Sequence, residues 1–436
     1  MKPKTPQTEK VKVPAKANQG DQTQDVISVE YSLPDPLRTL LWNAVLEGAT
    51  DIHLHRTNDE LRVLYRIDGI LCQKQRLPEE QGRQLINQVR SAAEITVTRI
   101  FLPEEGQIVL RDGLDKWEFR VTIVPVGKGM SAHLRILDMP EAVSDLLKLG
   151  FGTHEQEAIR TVIQSNSGLV LVSGSTGAGK TTTLYSLASL LDSTCSAVYS
   201  IEDPVEFRLP HAQQIEADER HGLTMYMGLR TILRMDPDLI LVGEIRDRDS
   251  AVVAARAALS GRLVLATIHA QDTVGAIGAL HFIGVPNYVI AGSVRLVIAQ
   301  SLVRCLCPVC SLSRSPYEEE ILLFQDYGID VPGTVPQIVG CGRCHHSGYQ
   351  GRASVFEILV IDSDIARMIG VGAQRRELLA YLRAKHQTSV VEDGLNKVAQ
   401  GVTTMEELYR VCGPLRKEIR DQQDHPWPGS NSLSVH

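Results

Sequence analysis

The pattern of apolar and polar positions divides the chain into two regions that predict different folds. In the first region, Leu37 to Leu46 repeats apolar residues at the spacing of an amphipathic helix. Leu61 to Ile67 alternates apolar and polar residues, which predicts a half-buried strand, and Asp68-Gly69 predicts the turn after it. Further strand candidates are Trp117 to Val124 and His133 to Leu137. Residues 35–140 are therefore expected to form a small α+β domain.

From Phe151 onward, short and mostly apolar runs alternate with helical patterns. The runs are Gly168 to Ser173, Ala197 to Ile201, Leu239 to Val242 and Leu263 to Ile268. Such runs are typical of buried parallel strands, and their alternation with helices predicts a doubly wound α/β sheet from Phe151 onward. After about residue 355 the pattern becomes mostly helical.

The two ends of the chain carry a different composition. Residues 1–34 and 414–436 are polar and contain few aromatic side chains. Because such segments cannot bury enough apolar surface to offset the entropy of ordering, we expect a disordered arm and a flexible tail.

Composition and charge exclude some classes of protein. The chain has 436 residues, of which 43% are hydrophobic and 22% charged, as in ordinary globular proteins. A net charge of −7 argues against a dedicated nucleic-acid binder, so no direct nucleic-acid partner is expected. No apolar run approaches the roughly 18 to 20 residues of a membrane span, and the N-terminus has no signal-peptide core. The protein is therefore expected in the cytosol, with its eight cysteines reduced.

A phosphate-binding loop lies between an apolar run and a helical pattern. The sequence G-S-T-G-A-G-K-T at 174–181 fulfils the G-x-x-x-x-G-K-[ST] pattern, and strand, loop and helix follow in the order that such a site requires. Lys180 is expected to reach the β- and γ-phosphates, and Thr181 to ligate Mg²⁺. The predicted nucleotide-binding residues are Gly174, Ser175, Thr176, Gly177, Ala178, Gly179, Lys180, Thr181 and Thr182. The chain is expected to bind a nucleoside triphosphate.

Polar residues follow three other predicted strands. Glu244 comes after the run at 239–242, where ligands bind in open α/β sheets, and can accept a proton from water or hold a metal-bound water. Asp238, at the start of the same strand, is expected to be an edge or capping carboxylate, with contact to a metal as the alternative. His269 ends another strand and is either structural or a sensor of the γ-phosphate. The acidic segment 201–207, which contains Glu206, is either a solvated loop or part of the site.

Four cysteines form two C-x-x-C pairs. Cys307 and Cys310 make the first pair, and Cys341 and Cys344 the second. Four thiolates close a tetrahedral structural Zn²⁺ site, although free or redox-active cysteines are an alternative and Cys305 could compete as a ligand.

Several further segments of the chain have a characteristic sequence. They are A-T-D-I-H-L-H at 49–55, L-Y-R-I-D-G at 64–69, I-E-D-P-V-E-F at 201–207, the stretch 228–247 ending in L-V-G-E-I-R-D, S-G-R-L-V-L-A-T-I-H at 260–269, L-V-I-A-Q-S-L-V-R-C-L-C-P-V-C at 296–310, G-Y-Q-G-R-A-S-V-F-E at 348–357 and E-D-G-L-N-K-V-A-Q-G-V-T-T-M-E-E-L at 392–408. Together they resemble the type II secretion and type IV pilus assembly ATPases (GspE/PilB type) of the secretion ATPase superfamily, over roughly residues 40 to 412.

The resemblance implies a RecA-like P-loop NTPase motor domain at 141–413, preceded by a PAS-like domain at 35–140 and carrying a zinc-binding insertion at about 305–346. It implies that Glu206 and Glu244 polarise or position water and that His269 senses the γ-phosphate. Arginines of the smaller domain are expected to reach the nucleotide, and Arg120 and Arg135 match best, with a surface ion pair as the alternative for either of them.

The chain departs from the family pattern in three places. Arg262 stands where the family usually has a second histidine, and Gln107 stands where it usually has an arginine. The family's G-E-x-x-x-L-R strand reads K-G-M-S-A-H-L-R at 128–135. These changes are expected mainly at nucleotide-proximal or intersubunit edges, where they affect turnover rather than nucleotide binding. Since about 35 residues precede the first helix, the larger N-terminal domains of many relatives are expected to be absent.

The resemblance further implies a Mg²⁺-dependent ATPase that works as a ring, expected to be a hexamer. It would lie in the cytoplasm, attached to the inner membrane through a platform protein, and would act indirectly on pilin-like subunits. The tetracysteine favours an assembly motor over a retraction motor. A nucleotide-gated scaffold with little turnover is the alternative of a different class.

Overall fold

The computed structural model describes residues 33–95, 102–112, 115–127, 129–137, 146–191 and 195–415. Of the predicted arm and tail, residues 1–32 and 416–436 lie outside this set. Within the described ranges, no helix combines the length and the apolar character needed to cross a bilayer.

The N-terminal region forms an antiparallel sheet of six strands in the order β3-β2-β1-β6-β5-β4. Its elements are α1 (Asp35–Leu46), β1 (Ala49–Arg56), β2 (Glu60–Ile67), β3 (Ile70–Pro78), α2 (Glu79–Ala92), β4 (Glu104–Asp112), β5 (Asp115–Val126) and β6 (Gly129–Leu137). The predicted α+β character of this region is confirmed.

The β2–β3 hairpin shows how local sequence sets this sheet. Asp68 and Gly69 have φ values of 48° and 82°, and two left-handed central residues make the tight turn that matches strand twist. The turn predicted from the sequence is therefore confirmed. Below the sheet, Leu41 of α1 packs in one core with Ile52 and Leu134, while the opposite face of the sheet carries polar side chains.

The second sheet has seven strands in the order β15-β12-β7-β11-β10-β8-β9. Up to its last strand, the elements are α3 (Leu146–Leu149), α4 (Thr153–Gln164), β7 (Gly168–Ser173), α5 (Lys180–Ala188), β8 (Val198–Glu202), β9 (Ala212–Glu216), α6 (Met225–Ile232), β10 (Leu239–Val242), α7 (Arg248–Leu259), β11 (Leu263–Ile268), α8 (Thr273–Ile283), α9 (Asn287–Ser293), β12 (Val294–Leu306), β13 (Leu312–Arg314), α10 (Glu318–Asp326), β14 (Val335–Gln337) and β15 (Tyr349–Val360). All its neighbouring strands pair in parallel except β12 and β15.

Burial on both faces explains why these strands are continuous apolar runs. Every residue of β7, β10 and β11 is buried, and separate apolar clusters cover the two sides of the sheet. The predicted doubly wound α/β sheet is confirmed. Because parallel strands end at the same edge, the carboxyl ends of β7, β11, β10 and β8 place their following residues beside one another.

The remaining residues form a small sheet and a group of helices. Strands β13 and β14 pair with each other between β12 and β15. The last elements are α11 (Ser363–Gly370), α12 (Arg375–Ala384), α13 (Val390–Ala399) and α14 (Met405–Cys412). The helical pattern predicted after about 355 thus begins after Val360, since β15 continues to that residue.

Candidate nucleotide site

The phosphate loop connects the central strand β7 to the first turn of α5. Gly174 and Gly179 have φ values of 153° and 82°, in the left-handed region that favours glycine. At position 174, an added Cβ would also lie 2.4 Å from the backbone oxygen of Gln300. The loop can therefore keep this path only with glycine at 174, which accounts for the first position of the motif.

Gln300 of β12 holds the loop from the neighbouring strand. Its Nε2 donates to the Ala178 carbonyl oxygen at 2.5 Å, and its Oε1 accepts from Thr183 Oγ1 at 2.7 Å. The side chain is buried, at 2% exposure. No role for Gln300 was expected from the sequence. Because β12 also carries Arg295, Ser301 and Arg304, this glutamine does not stand out in the strand, and no local signal marks its contact with the loop.

Lys180 bends back over the loop. Its Nζ donates to the carbonyl oxygens of Gly174 at 2.8 Å and Ser175 at 3.1 Å, and lies 3.4 Å from His269 Nδ1. Burial lowers the pKa of Lys180 below its ordinary value, while the charges of Glu244 and Glu206 oppose that shift. Two backbone carbonyl oxygens of the loop thus hold the ammonium in place.

Glu244 and His269 meet at the ends of adjacent strands. His269 Nε2 contacts Glu244 Oε1, and the other carboxylate oxygen of Glu244 accepts from Arg246 Nε at 2.5 Å. Behind them, Thr267 Oγ1 donates to the Gly243 carbonyl oxygen at 2.6 Å, which ties β11 to the turn after β10. Lys180, His269 and Glu244 thus form one chain of contacts. No role for Arg246 was expected from the sequence.

The two other acidic positions have different surroundings. Glu206 is half-buried in the loop between β8 and β9, and its charge acts on Lys180. Asp238 accepts a hydrogen bond from the Ala197 backbone N–H at 2.7 Å, at the opposite end of β10 from Glu244. Its predicted capping role is confirmed.

The two predicted arginines are cross-strand neighbours on the polar face of the first sheet. Five paired positions form one row across that face, which we call the cross-strand row: Gln107, Arg120, Arg135, Asp51 and Arg66. Arg120 Nη2 leaves the row and donates to the Val205 carbonyl oxygen at 3.3 Å, next to Glu206. Arg135 Nε instead donates to Asp51 Oδ1 at 3.1 Å. The structure therefore brings Arg120, and not Arg135, into contact with the loop of residues 203–211, which carries Glu206 and which we call the Glu206 loop.

The positions that depart from the family pattern lie far apart. Gln107 neighbours Arg120 in the cross-strand row, and its Nε2 donates to Glu118 at 2.6 Å. Arg262 lies at the start of β11, whose other end carries His269, and it donates to Ser260 Oγ at 3.1 Å. Of the two expected locations, the nucleotide-proximal one does not hold for Arg262, because β11 separates it from the phosphate loop, and a location at an intersubunit edge stays a prediction.

The four predicted cysteine ligands come together. The sulfur atoms of Cys307, Cys310, Cys341 and Cys344 all lie within 4.8 Å of one another. Three of the Sγ–Sγ distances are 3.7, 3.8 and 3.9 Å. A tetrahedral Zn²⁺ with bonds of about 2.3 Å requires sulfur separations of about 3.8 Å. The thiols therefore fit zinc, and Cys305 is not part of the cluster.

Comparison with known proteins identifies the family. The family model described as "Type II/IV secretion system protein" matches residues 30–410. The Pseudomonas aeruginosa type II secretion system protein E is 34% identical over 401 residues, which cover 91% of this chain and 79% of that protein. The Myxococcus xanthus type IV pilus assembly ATPase PilB is 33% identical over 380 residues, which cover 86% of this chain and 67% of that protein.

Solved structures agree in fold. The Legionella pneumophila ATPase DotB has a TM-score of 0.64 at 20% identity, over 88% of this chain and 96% of that one. The pilus retraction motor PilT with bound ADP has a TM-score of 0.58 at 23% identity, over 88% of this chain and 98% of that one. The chain therefore belongs to the type II/IV secretion system protein family, among its ATPases.

Proposed function

We propose that this protein hydrolyses ATP to power assembly of a type IV pilus or a type II secretion pseudopilus. The observation that carries the proposal is the chain of contacts Lys180–His269–Glu244 at the phosphate loop, because it joins a phosphate-binding group to a carboxylate that can orient water. The relatives named for type II secretion and pilus assembly support the choice of output.

Each residue has a role that follows from its position. Lys180 exchanges its contacts with the loop carbonyls for contacts with phosphate oxygens. His269 lies between Lys180 and Glu244, so it reports the presence of the γ-phosphate to the carboxylate. Glu244 and Glu206 orient and polarise the attacking water. Arg120, already at the Glu206 loop, neutralises negative charge that develops on the phosphates.

Thr181 and the nearby carboxylates are suited to hold Mg²⁺. Thr181 is half-buried in the first turn of α5, directly after Lys180, and a hydroxyl with water molecules and phosphate oxygens makes the all-oxygen ligand set that Mg²⁺ prefers. When bound, Mg²⁺ neutralises charge on the phosphates.

The proposed assembly is a homo-oligomeric ring, with six subunits as the expected number. The protein would act in the cytoplasm, bound to the inner membrane through a platform protein, and would pass its domain motions indirectly to pilin-like subunits. Family membership supports these partners, since the relatives named above are secretion and pilus assembly proteins.

The test is steady-state phosphate release from Mg²⁺-ATP across a series of protein concentrations. Specific activity should rise with concentration if subunits complete each other's sites, and Lys180→Ala should abolish both nucleotide binding and release. Tight ATP binding without phosphate release at every concentration would contradict the motor and support the nucleotide-gated scaffold.

We extend the proposal to a structural zinc ion held by the four clustered cysteines, which favours an assembly motor over a retraction motor. Cys307→Ser should lose stoichiometric zinc and lower the melting temperature, because Zn–thiolate bonds contribute to local folding. Cys305→Ser is the matched control, since this nearby thiol lies outside the cluster. Unchanged zinc content in Cys307→Ser, measured by elemental analysis, would show that the ligands are wrong.

A further inference from the structure

A buried polar network lies behind the Glu206 loop (residues 203–211). Glu202, at 2% exposure, ends β8 and accepts hydrogen bonds from Ser200 Oγ at 2.5 Å and from the Tyr185 hydroxyl. Tyr185 is fully buried on α5, the helix that begins with Lys180. None of these groups has a role in the proposed mechanism. Burying a carboxylate costs free energy of folding, and hydrogen bonds such as these offset only part of that cost.

Gln214 of β9 connects this network to the Glu206 loop. Its Nε2 lies 3.2 Å from Glu202 Oε1 and 3.3 Å from the Tyr185 hydroxyl oxygen. The same Nε2 donates to the Phe207 carbonyl oxygen at 2.9 Å, while Oε1 accepts from the Leu209 N–H at 2.8 Å. One carboxamide thus binds two backbone groups of the loop.

The neighbours of Glu206 are held on both sides. After it, the Phe207 ring lies edge-on to the Tyr185 ring with centroids 6.1 Å apart. Before it, the Val205 N–H donates to Glu216 at 3.1 Å, and the Val205 carbonyl oxygen accepts from Arg120. The path of the loop therefore leaves Glu206 little freedom to change its position.

The Glu206 carboxylate lies within electrostatic range of both this network and Lys180. Burial is the main cause of the raised pKa of Tyr185, and the charge of Glu206 adds to that rise. Burial also raises the pKa of Glu202, and Glu206 again contributes. On the other side, the charge of Glu206 acts on Lys180. The charge of Glu206 thus acts both on the buried network and on Lys180 of the phosphate loop.

We propose that Gln214, seated on Tyr185 and Glu202, is a positioning residue that fixes the Glu206 loop relative to the helix carrying Lys180. The inference rests on the proposed function, because it takes Glu206 as a group that acts on the attacking water. It assigns the buried network a purpose: α5 supplies the phosphate-binding residues, and the same helix anchors the loop that carries the second carboxylate.

The first test is Gln214→Met, which keeps the length of the side chain and removes its hydrogen bonds. We expect kcat to fall about 10- to 100-fold with little change in KM for ATP, because misplacing a catalytic group by about 1 Å has effects of this size. Gln213→Met is the matched control, since Gln213 is exposed on the same strand and points to the other face. Unchanged kcat in Gln214→Met would overturn the proposal.

A double-mutant cycle separates positioning from a general loss of stability. In a Glu206→Gln background, Gln214→Met should lower kcat no further, because the group that it positions is already gone. Equal fold-losses in both backgrounds would overturn the proposal in favour of a structural role. Tyr185→Phe, which keeps the ring against Phe207 and removes the hydroxyl, should lower kcat in the same direction and by less.

Hydrogen exchange of the protein without nucleotide gives a readout that is independent of turnover. Gln214→Met should speed exchange in the peptide containing residues 203–211, where the Leu209 N–H loses its acceptor, and Gln213→Met should not. If the wild-type protein releases no phosphate, the proposed function fails, while faster exchange would still support the anchoring of the loop. Unchanged exchange in Gln214→Met would overturn it whatever the turnover.

Discussion

The carboxyl edge of the parallel sheet and the polar face of the antiparallel sheet carry similar residues with different partners. At the edge, Lys180 is bonded to loop carbonyls and Glu244 contacts His269, so each group lies beside the phosphate loop with partners that a nucleotide can replace. On the face, Asp51 is bonded by Arg135 and by His133 within the sheet. Charges at strand ends can therefore serve a ligand, whereas charges paired across strands largely satisfy one another.

The cross-strand row shows this difference within a single set of arginines. Arg120 leaves the row and reaches the Val205 carbonyl oxygen, while Arg135 is retained by Asp51. Burial raises the pKa of Asp51, but hydrogen bonds from His133 and Thr50 and the charge of Arg135 outweigh it and hold this pKa well below the usual aspartate value. Asp51 thus remains an anion that binds Arg135.

The largest expected effect compares the two acids at the ends of β10. Glu244→Gln should bind ATP and lose about 10³-fold in kcat, because it removes a carboxylate that activates water. Asp238→Asn keeps an oxygen that can accept from the Ala197 N–H, so kcat should remain within about twofold of wild type. Phosphate release and nucleotide titration of both variants are the measurements.

Two outcomes would contradict this contrast. Normal turnover in Glu244→Gln would remove Glu244 from the catalytic residues, whatever Asp238→Asn does. Equal falls in kcat in both variants, with matching falls in melting temperature, would show that a change at either end of β10 destabilises the protein. The loss of activity in Glu244→Gln would then not indicate a catalytic carboxylate.

The second effect compares the two arginines of the cross-strand row. Arg120→Ala should lower kcat about 10²-fold, because it removes a cation next to the Glu206 loop, while Arg135→Ala should cost about tenfold or less. Both changes delete a partly exposed guanidinium, so they serve as matched controls for each other. A larger fall in kcat in Arg135→Ala than in Arg120→Ala would mean that Arg135 leaves Asp51 when nucleotide binds. The two arginines would then not differ in the way that their contacts indicate.

The same difference explains how much of the molecule could be predicted from its sequence. Glu244 and His269 could be placed beside Lys180 because parallel strands end at the same edge of the sheet. A residue that directly follows such a strand can therefore be assigned to this edge from the sequence alone. The four cysteines could be predicted to lie together because each C-x-x-C segment supplies two thiolates on one short turn, and two such turns complete a tetrahedral metal site. Neither inference needs the register of distant strands.

The residues that escaped prediction depend on long-range pairing. Gln300 reaches the phosphate loop from β12, 122 positions after its partner Ala178, and no local pattern marks that contact. The pairing of Arg135 with Asp51 requires the β1–β6 register, across 84 positions. The assignment of Arg135 to the nucleotide came from resemblance and stays a prediction, while in the structure Arg135 is bonded to Asp51.

The smallest expected effect concerns His53, beside Asp51 on the polar face. Its Nε2 is buried without a hydrogen-bond partner among the described residues, and its ring centroid lies 4.6 Å from that of His133. Burial lowers the pKa of His53 to about 4, the positive charges of His133, Arg66 and His55 add to this, and Asp51 opposes it. Folding therefore favours the neutral ring.

The direction of the pH effect follows from that lowered pKa. As pH falls from about 6.5 towards 4, the unfolded chain takes up a proton at His53 before the folded protein does, so stability is lost as pH falls. His53→Gln should remove about 1 kcal/mol of this loss between pH 6.5 and 4.5, after solvent screening. His55→Gln, at an exposed position of the same strand, should keep most of the wild-type loss. If the melting temperature falls equally with pH in the wild type and in His53→Gln, protonation of His53 does not cause the loss of stability in acid. The ion pairs of the polar face would then be independent of the His53 ring.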